Sequence, residues 1–230
     1  MSQTHDWEVP EGTVWPFEAP ALRRSQTAEK FERQFARWGR LNRLAGYPSA
    51  YRDLFAELRC ARLLPDGLHR VLDGGSGNGS LAAEYIRIMP HARVCALDLS
   101  SKMLAVARCS IGQHATFLSS DVAELPVANE SFDAVISSHC LEHTPEPRAT
   151  LAEMTRVLRP DGLLVAITAR PHGLSAVFGG IWNHRCLEAA DVLRWMWETG
   201  TSPLGMMSLG PRCAPAHWLS HAMIGRKGAS

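Results

Sequence analysis

The stretch "VLDGGSGNGS", Val71 to Ser80, sets four glycines in ten positions directly behind an apolar pair. Glycine reaches positive φ without steric cost and lets a ligand approach the backbone, so such a turn between a strand and a helix suits a nucleotide. Asp73, Gly75, Gly77 and Gly79 form a D-x-G-x-G-x-G series. A dinucleotide fingerprint reads G-x-G-x-x-G; counted from Gly75 and Gly77, its last glycine would fall at position 80, which is Ser80. Downstream, "ALDLS" brings Asp98 near the offset of a carboxylate that grips two ribose hydroxyls. Asp73 attracts a cationic ligand by Coulomb's law and repels a pyrophosphate. Tight packing alone is the other use of a glycine turn, and it stands as an alternative at this point.

A loop of this kind works only at the end of a sheet strand, and the flanking text supplies one. From His69 onward, "RVLDGG", "ARVCALDL", "ATFLSS", "SFDAVISSH" and "GLLVAIT" read as buried strands. "SLAAEYIRIM", "SKMLAVARCSI" (capped by Ser100 or Ser101) and "PRATLAEMTRVL" read as the helices between them. This beat predicts β-α-β units in an α/β, doubly wound, mainly parallel sheet. "RPDG" is expected to stop the helix before it and to turn the chain. Leu151, Met154 and Leu158 give that helix one apolar face. "CLEAADVLRWMWETG" is a helix whose Trp195 and Trp197 point to opposite sides. "LGMMSLG" and "HWLSHAMIG" are expected to pair as two late strands, antiparallel at one edge, for a total of seven.

Ahead of the sheet, Pro10, Pro16 and Pro20 with Trp7, Trp15 and Phe17 predict an extended arm. Phe31, Phe35, Trp38, Leu41 and Ala45 fall at helical spacing, with Arg33, Arg37 and Arg40 on another face. "AGYPSAYRDLFAELRCARLLP" predicts a turn at Tyr47 and Pro48 and then a second helix that ends before Pro65. The expected organisation is an N-terminal arm and helical lid over 1–65, on the acceptor side, and a core over 66–230 with an insertion near 170–187.

The bulk numbers narrow the class of partner. The chain has 230 residues, 46% hydrophobic and 20% charged, with a formal net charge of +1, so no overall field draws in nucleic acid or an anionic membrane. The start "MSQTHDWEVPEG" lacks the basic and apolar pattern of a secretory signal, and no stretch reaches membrane-spanning length, which makes the cytoplasm the expected location. Cys60, Cys95, Cys109, Cys140, Cys186 and Cys213 stand singly without a CxxC pair, so reduced, buried thiols are expected and no metal site.

"VLDGGSGNG", "ALDLSSKML", "SSDVAELPVANESFDAVISSHCLEHTPEP" and "EMTRVLRPDGLLVAI" resemble, in order and spacing, successive motifs of class I S-adenosylmethionine-dependent methyltransferases. They are most similar to the ubiquinone/menaquinone-type (type 11) branch, over roughly residues 70 to 170. The resemblance implies a Rossmann-like sheet, N-terminal helices and S-adenosylmethionine as cofactor, with S-adenosylhomocysteine as product. It places Gly75 and Gly77 along the methionyl part with Asp73 close by, Asp98 on the ribose, and Leu99 with Ser100 or Met103 beside the adenosine. Asp121 would accept from the adenine amino group, with Val122 giving a backbone contact; a turn cap is the other role open to Asp121. Ser138 and His139 would close the site from the fourth strand. Gly74 departs from the family, which often has a larger residue there.

A sulfonium methyl is already activated by its neutral leaving group, so alignment and exclusion of water are the main tasks, and alignment alone supplies about 7–11 kcal/mol. A strong base is optional. His139 is the candidate catalytic residue, deprotonating the acceptor near neutral pH. His143, His172, Phe35, Trp38, Tyr47 and Trp182 are the candidate acceptor-binding residues, with Tyr51 and Phe178 in the same aromatic set. For His143, and for at least half of the aromatics, ordinary packing is the competing role. The expected function is methyl transfer to a small-molecule acceptor, without nucleic acid or membrane insertion and with homodimerisation open. An NAD-dependent oxidoreductase and a non-catalytic S-adenosylmethionine-binding protein are the alternatives.

Overall fold

The computed structural model describes residues 39–171, 187–211 and 215–229. The arm at 1–38, with Phe31, Arg33, Phe35, Arg37 and Trp38, lies outside the described residues. So do His172, Phe178, Trp182, His184, Cys186 and Cys213.

Seven strands form one sheet in the order β3-β2-β1-β4-β5-β7-β6. They are β1 (His69–Gly74), β2 (Ala92–Asp98), β3 (Ala115–Ser119), β4 (Phe132–Ser138), β5 (Leu158–Ala169), β6 (Thr201–Ser208) and β7 (Ser220–Lys227). β1 to β5 pair in parallel, while β7 runs antiparallel between β5 and β6. The chain moves outward from β1 to β3 and then crosses back to β4 on the other side of β1. This reversal opens a crevice above the carboxyl ends of β1 and β4, where ligands of such sheets bind.

Helices cover both faces, as parallel strands require. Along β1, Val71 packs with Tyr51, Phe55, Leu81 and Tyr85 on one face, and Leu72 packs with Leu141, Leu151 and Met154 on the other. The helices are α1 (Tyr47–Cys60), α2 (Ser80–Ile88), α3 (Ser101–Ile111), α4 (Pro147–Val157), α5 (Ala189–Glu198) and the short α6 (Pro215–Leu219). Ser100 caps α3, its Oγ accepting from the Met103 amide at 3.2 Å. Trp195 packs against the α4 side and Trp197 is 67% exposed, so the two do point apart. Among the described residues no helix is long and apolar enough to cross a membrane.

Four local expectations need correction. The break before α1 falls at Gly46 (φ 79°), not at Tyr47 and Pro48, because proline sits without cost in the first helical turn, where its missing N–H has no partner to lose. Leu41, placed on an apolar face, is exposed, and Asn42 is the buried residue of that turn. "RPDG" does not leave the sheet: Leu158 pairs with Phe132 and Leu163 with Ala134, so the chain bulges between them around Asp161 at φ 62°. Of the described cysteines, Cys95 is buried but Cys60 and Cys109 are exposed, since both lie on solvent-facing positions in the last turns of α1 and α3.

Phe55 is fully buried, with its ring 4.9 Å from Tyr85 in an edge-on contact that joins α1 to α2. Phe55→Ala should therefore cost about 3–5 kcal/mol in urea unfolding, while Trp197→Ala should stay within about 0.5 kcal/mol. Equal losses would mean that α1 is not part of the core.

Candidate functional site

The loop after β1 turns through three left-handed glycines, Gly75 (φ 73°), Gly77 (φ 55°) and Gly79 (φ 77°). Its amides are tied to the neighbouring strand. Gly75 and Ser76 both donate to the Leu97 carbonyl, at 2.9 and 2.8 Å, and Gly77 donates to Asp98 Oδ2 at 2.8 Å. At Gly75 a Cβ would sit 2.4 Å from Cys140 Sγ, so only glycine lets the loop lie against the turn after β4. At Gly74, the departure from the family pattern, a Cβ would come within 3.2 Å of Val122 Cγ2 and 3.3 Å of Met154 Cε, so a larger residue would need those two side chains to give by a few tenths of an ångström.

The turn leads into a cavity of about 530 Å³ above the carboxyl ends of β1, β2 and β4. Asp73, Gly75, Gly77, Asp98, Leu99, Met103, Asp121, Val122, Ser138, His139 and His143 all line it, so the structure brings these expected site residues to one place. Tyr47 does not line it; it is buried behind His139, with ring centroids 5.2 Å apart. Asn42, Asn78, Ser120, Cys140 and Thr144 also line the cavity and were not foreseen. Asn78 and Ser120 adjoin quoted motif residues and could have been read from the loops, whereas Asn42 looks like an ordinary polar helix residue.

Three carboxylates share this space. Asp73 is 1% exposed; its Oδ2 accepts from Ser76 Oγ at 2.7 Å, while its Oδ1 is buried with no hydrogen-bond partner. Burial raises its pKa to about 7, helped by the nearby Asp98 charge and opposed by the Ser76 hydrogen bond. Asp98 holds the Gly77 amide on one oxygen and the Ser100 amide on the other, each at 2.8 Å. Burial raises Asp98 as well, against those amide hydrogen bonds. A carboxylate oxygen has two acceptor directions, so Asp98 keeps capacity for further donors. Asp121 Oδ1 accepts from the Ala123 amide at 2.9 Å, which is the turn-capping role foreseen as its alternative. Among the described residues, no lysine or arginine lines the cavity.

The far rim comes from β4 and the turn after it. Ser138 Oγ bonds the Tyr51 hydroxyl at 2.8 Å, which fixes Tyr51 of α1 in the cavity wall. His139 has a left-handed backbone (φ 52°) held by its amide bond to the Ile167 carbonyl, and its ring lies between Glu142 and Ser220, 3.3 Å from each. His143 closes the short 3-10 turn Leu141–His143.

The raised pKa of Asp73 has a consequence for stability. Relative to an ordinary carboxyl at 3.8, the folded state binds a proton more tightly, so this contribution is complete below about pH 4 and is lost as pH rises through about 7. Asp73→Asn removes the loss. In urea unfolding of the ligand-free protein, the variant should gain about 1–3 kcal/mol on its parent between pH 5 and pH 8. A pH-independent difference would contradict the burial of an ionisable carboxyl here.

Comparison with known proteins agrees with this geometry. A family model described as a methyltransferase domain matches residues 72–166, the span from β1 into β5. The chain is 36% identical over 130 residues to malonyl-[acyl-carrier protein] O-methyltransferase of Hahella chejuensis, covering 53% of this chain and 47% of that protein. It is 30% identical over 155 residues to demethylmenaquinone methyltransferase of Thermotoga maritima, covering 66% of each. Across the curated relatives it matches first, the chain spans about half their length. The crystal structure of 1,6-didemethyltoxoflavin-N1-methyltransferase from Burkholderia thailandensis, with its substrate and S-adenosylhomocysteine bound, shares the fold at a TM-score of 0.68 and 21% identity, over 94% of this chain and 93% of that one. Through the domain at residues 72–166, the chain belongs to the class I S-adenosylmethionine-dependent methyltransferases.

Proposed function

We propose that the chain transfers a methyl group from S-adenosylmethionine to a small-molecule acceptor. The observation that carries this reading is the cavity wall: Asp73, Asp98 and Asp121 face one space of about 530 Å³ without a described lysine or arginine. A pyrophosphate would meet uncompensated negative charge there, so the wall argues against the NAD-dependent alternative. The residues fit the methyl donor. Asp73 Oδ1 is a buried acceptor without a partner, and Gly75 and Gly77 leave the loop bare for close approach.

In this reading Asp73, Gly75 and Gly77 hold the methionyl end and Asp98 takes the ribose hydroxyls. Leu99 and Met103 lie beside the adenosine, with Asp121 and Val122 on the adenine. The bound donor supplies a methyl group already activated by its positive sulfur. The chain's own work is to align the acceptor with that methyl group and keep water out. Ser138, Tyr51 and His139 form the acceptor-side rim, and His139 takes the proton that a hydroxyl or acidic carbon gives up. The N-terminal extension over 1–65 and the insertion near 170–187, with Phe35, Trp38, His172 and Trp182, would complete the acceptor pocket. His143 would stand at its edge, and Tyr47 would support His139 from behind. One relative is named for demethylmenaquinone and the other for a malonyl group on acyl-carrier protein, so the names support a small acceptor group, free or carrier-bound.

Two measurements test the reading. In equilibrium dialysis with S-adenosylhomocysteine, Asp98→Ala should weaken binding by about 1.5–3 kcal/mol, roughly 10- to 150-fold, with its melting transition recorded as the folding control. Labelled methyl groups from S-adenosylmethionine should then reach a member of a panel of quinols, phenols and carboxylates. Unchanged affinity in a folded Asp98→Ala variant would overturn the ribose assignment. Donor binding with no acceptor across a broad panel would favour the non-catalytic alternative.

A further inference from the structure

Behind the cavity rim, four side chains form a continuous polar chain. His139 Nδ1 is 3.3 Å from Glu142 Oε1, the same oxygen that accepts the Ala169 amide at 2.7 Å. His139 Nε2 is 3.3 Å from Ser220 Oγ, which is 2.5 Å from the Tyr47 hydroxyl. The Glu142 side chain is 1% exposed, and its Oε2 is buried without a hydrogen-bond partner. Burial alone would raise the Glu142 carboxyl, but the hydrogen bond and charge of His139, then the Ala169 amide and the His143 charge, bring it below its ordinary value. It is therefore an ionised acceptor.

The direction of every hydrogen bond follows. Tyr47, raised to about 12 by burial, keeps its proton and can donate to Ser220. If the His139 proton sat on Nε2, the Nδ1 lone pair would face a carboxylate oxygen, which is repulsive. With the proton on Nδ1, each contact joins one donor to one acceptor: Nδ1–H to Glu142, the Ser220 hydroxyl to Nε2, and the Tyr47 hydroxyl to Ser220. The unusual φ of His139 and its edge-on contact with Tyr47 hold the ring in that line, as local strain does at functional positions.

We propose that Glu142 is a positioning residue that fixes His139 as its Nδ1–H tautomer, so that Nε2 is the nitrogen that receives the acceptor's proton. This rests on the reading of His139 given above. In the transfer, the acceptor's bond to hydrogen breaks and its electron pair forms the new bond to the methyl carbon, while the carbon–sulfur pair stays with sulfur. The proton reaches Nε2 once the buried Ser220 hydroxyl, which donates to that nitrogen at rest, turns away, and Glu142 balances the imidazolium until the proton passes to solvent. Among the described residues, the other titratable or charged groups around the pair are Tyr47 and Tyr51 on α1, Cys140 and His143 on the same turn, Arg170 after β5 and His221 on β7.

Nitrogen-15 NMR of the histidine rings tests this in the full chain without knowledge of the acceptor, with His139→Asn identifying the signal among the ten histidines. At alkaline pH the wild-type His139 should be the Nδ1–H tautomer. In Glu142→Gln the amide can turn either its oxygen or its NH2 group toward Nδ1, so the neutral ring should become a mixture of the two tautomers. An Nε2–H tautomer in the wild type, or an unchanged tautomer ratio in Glu142→Gln, overturns the proposal. If that variant does not fold, the wild-type tautomer decides alone. S-adenosylhomocysteine binding on the same sample separates the two readings: no binding sinks the proposed function whatever the tautomer, while binding with an Nε2–H ring sinks only the role of Glu142.

Discussion

The site depends on one close approach, the packing of the Gly75 backbone onto Cys140. A Cβ at Gly75 would overlap both Cys140 Sγ and its Cβ, at 2.4 and 2.7 Å, and the left-handed φ of 73° separately favours glycine. With that contact made, the loop after β1 is fixed between two strands. Its amides reach Leu97 and Asp98 on one side, and on the other Ser137 Oγ donates to the Gly74 carbonyl at 2.7 Å. The ends of β2, β1 and β4 are thus bound together at the point where the strand order reverses. Three carboxylates and two histidines from separate stretches of chain then face one cavity.

The same arrangement sets a conflict between stability and binding. Asp73 is almost fully buried, shares its surroundings with Asp98 and has one oxygen without a partner. A protein selected only for stability would carry a neutral group there. In the proposed function the carboxylate serves a cationic ligand, whose charge and donors would offset its burial. Glu142 solves a similar problem from within, since His139 and the Ala169 amide compensate its burial.

The parallel core was legible because its strands are short apolar runs and its helices carry their own signals, as Ser100 shows by capping α3 where a capping residue was expected. The glycines and acids at the strand ends were legible as residues of one cavity because such residues have few other uses there. Less visible were features that depend on partners distant in sequence. Asn42 lines the cavity through packing that no local pattern records, and Glu142 is held by the amide of Ala169, 27 residues later. "RPDG" reads as a turn in isolation, yet the register of β5 against β4 draws it into the sheet. Tyr47, expected to bind the acceptor, does not line the cavity but lies behind His139, with its hydroxyl taken by Ser220, 173 residues away.

The central claim is that this carboxylate-lined cavity selects an adenosyl sulfonium over a dinucleotide. Calorimetric titration of the purified chain at neutral pH, first with S-adenosylmethionine and then with NAD, tests it most directly. Saturable one-to-one binding of S-adenosylmethionine and no measurable heat from NAD are expected. Saturable binding of NAD with no response to S-adenosylmethionine would contradict it.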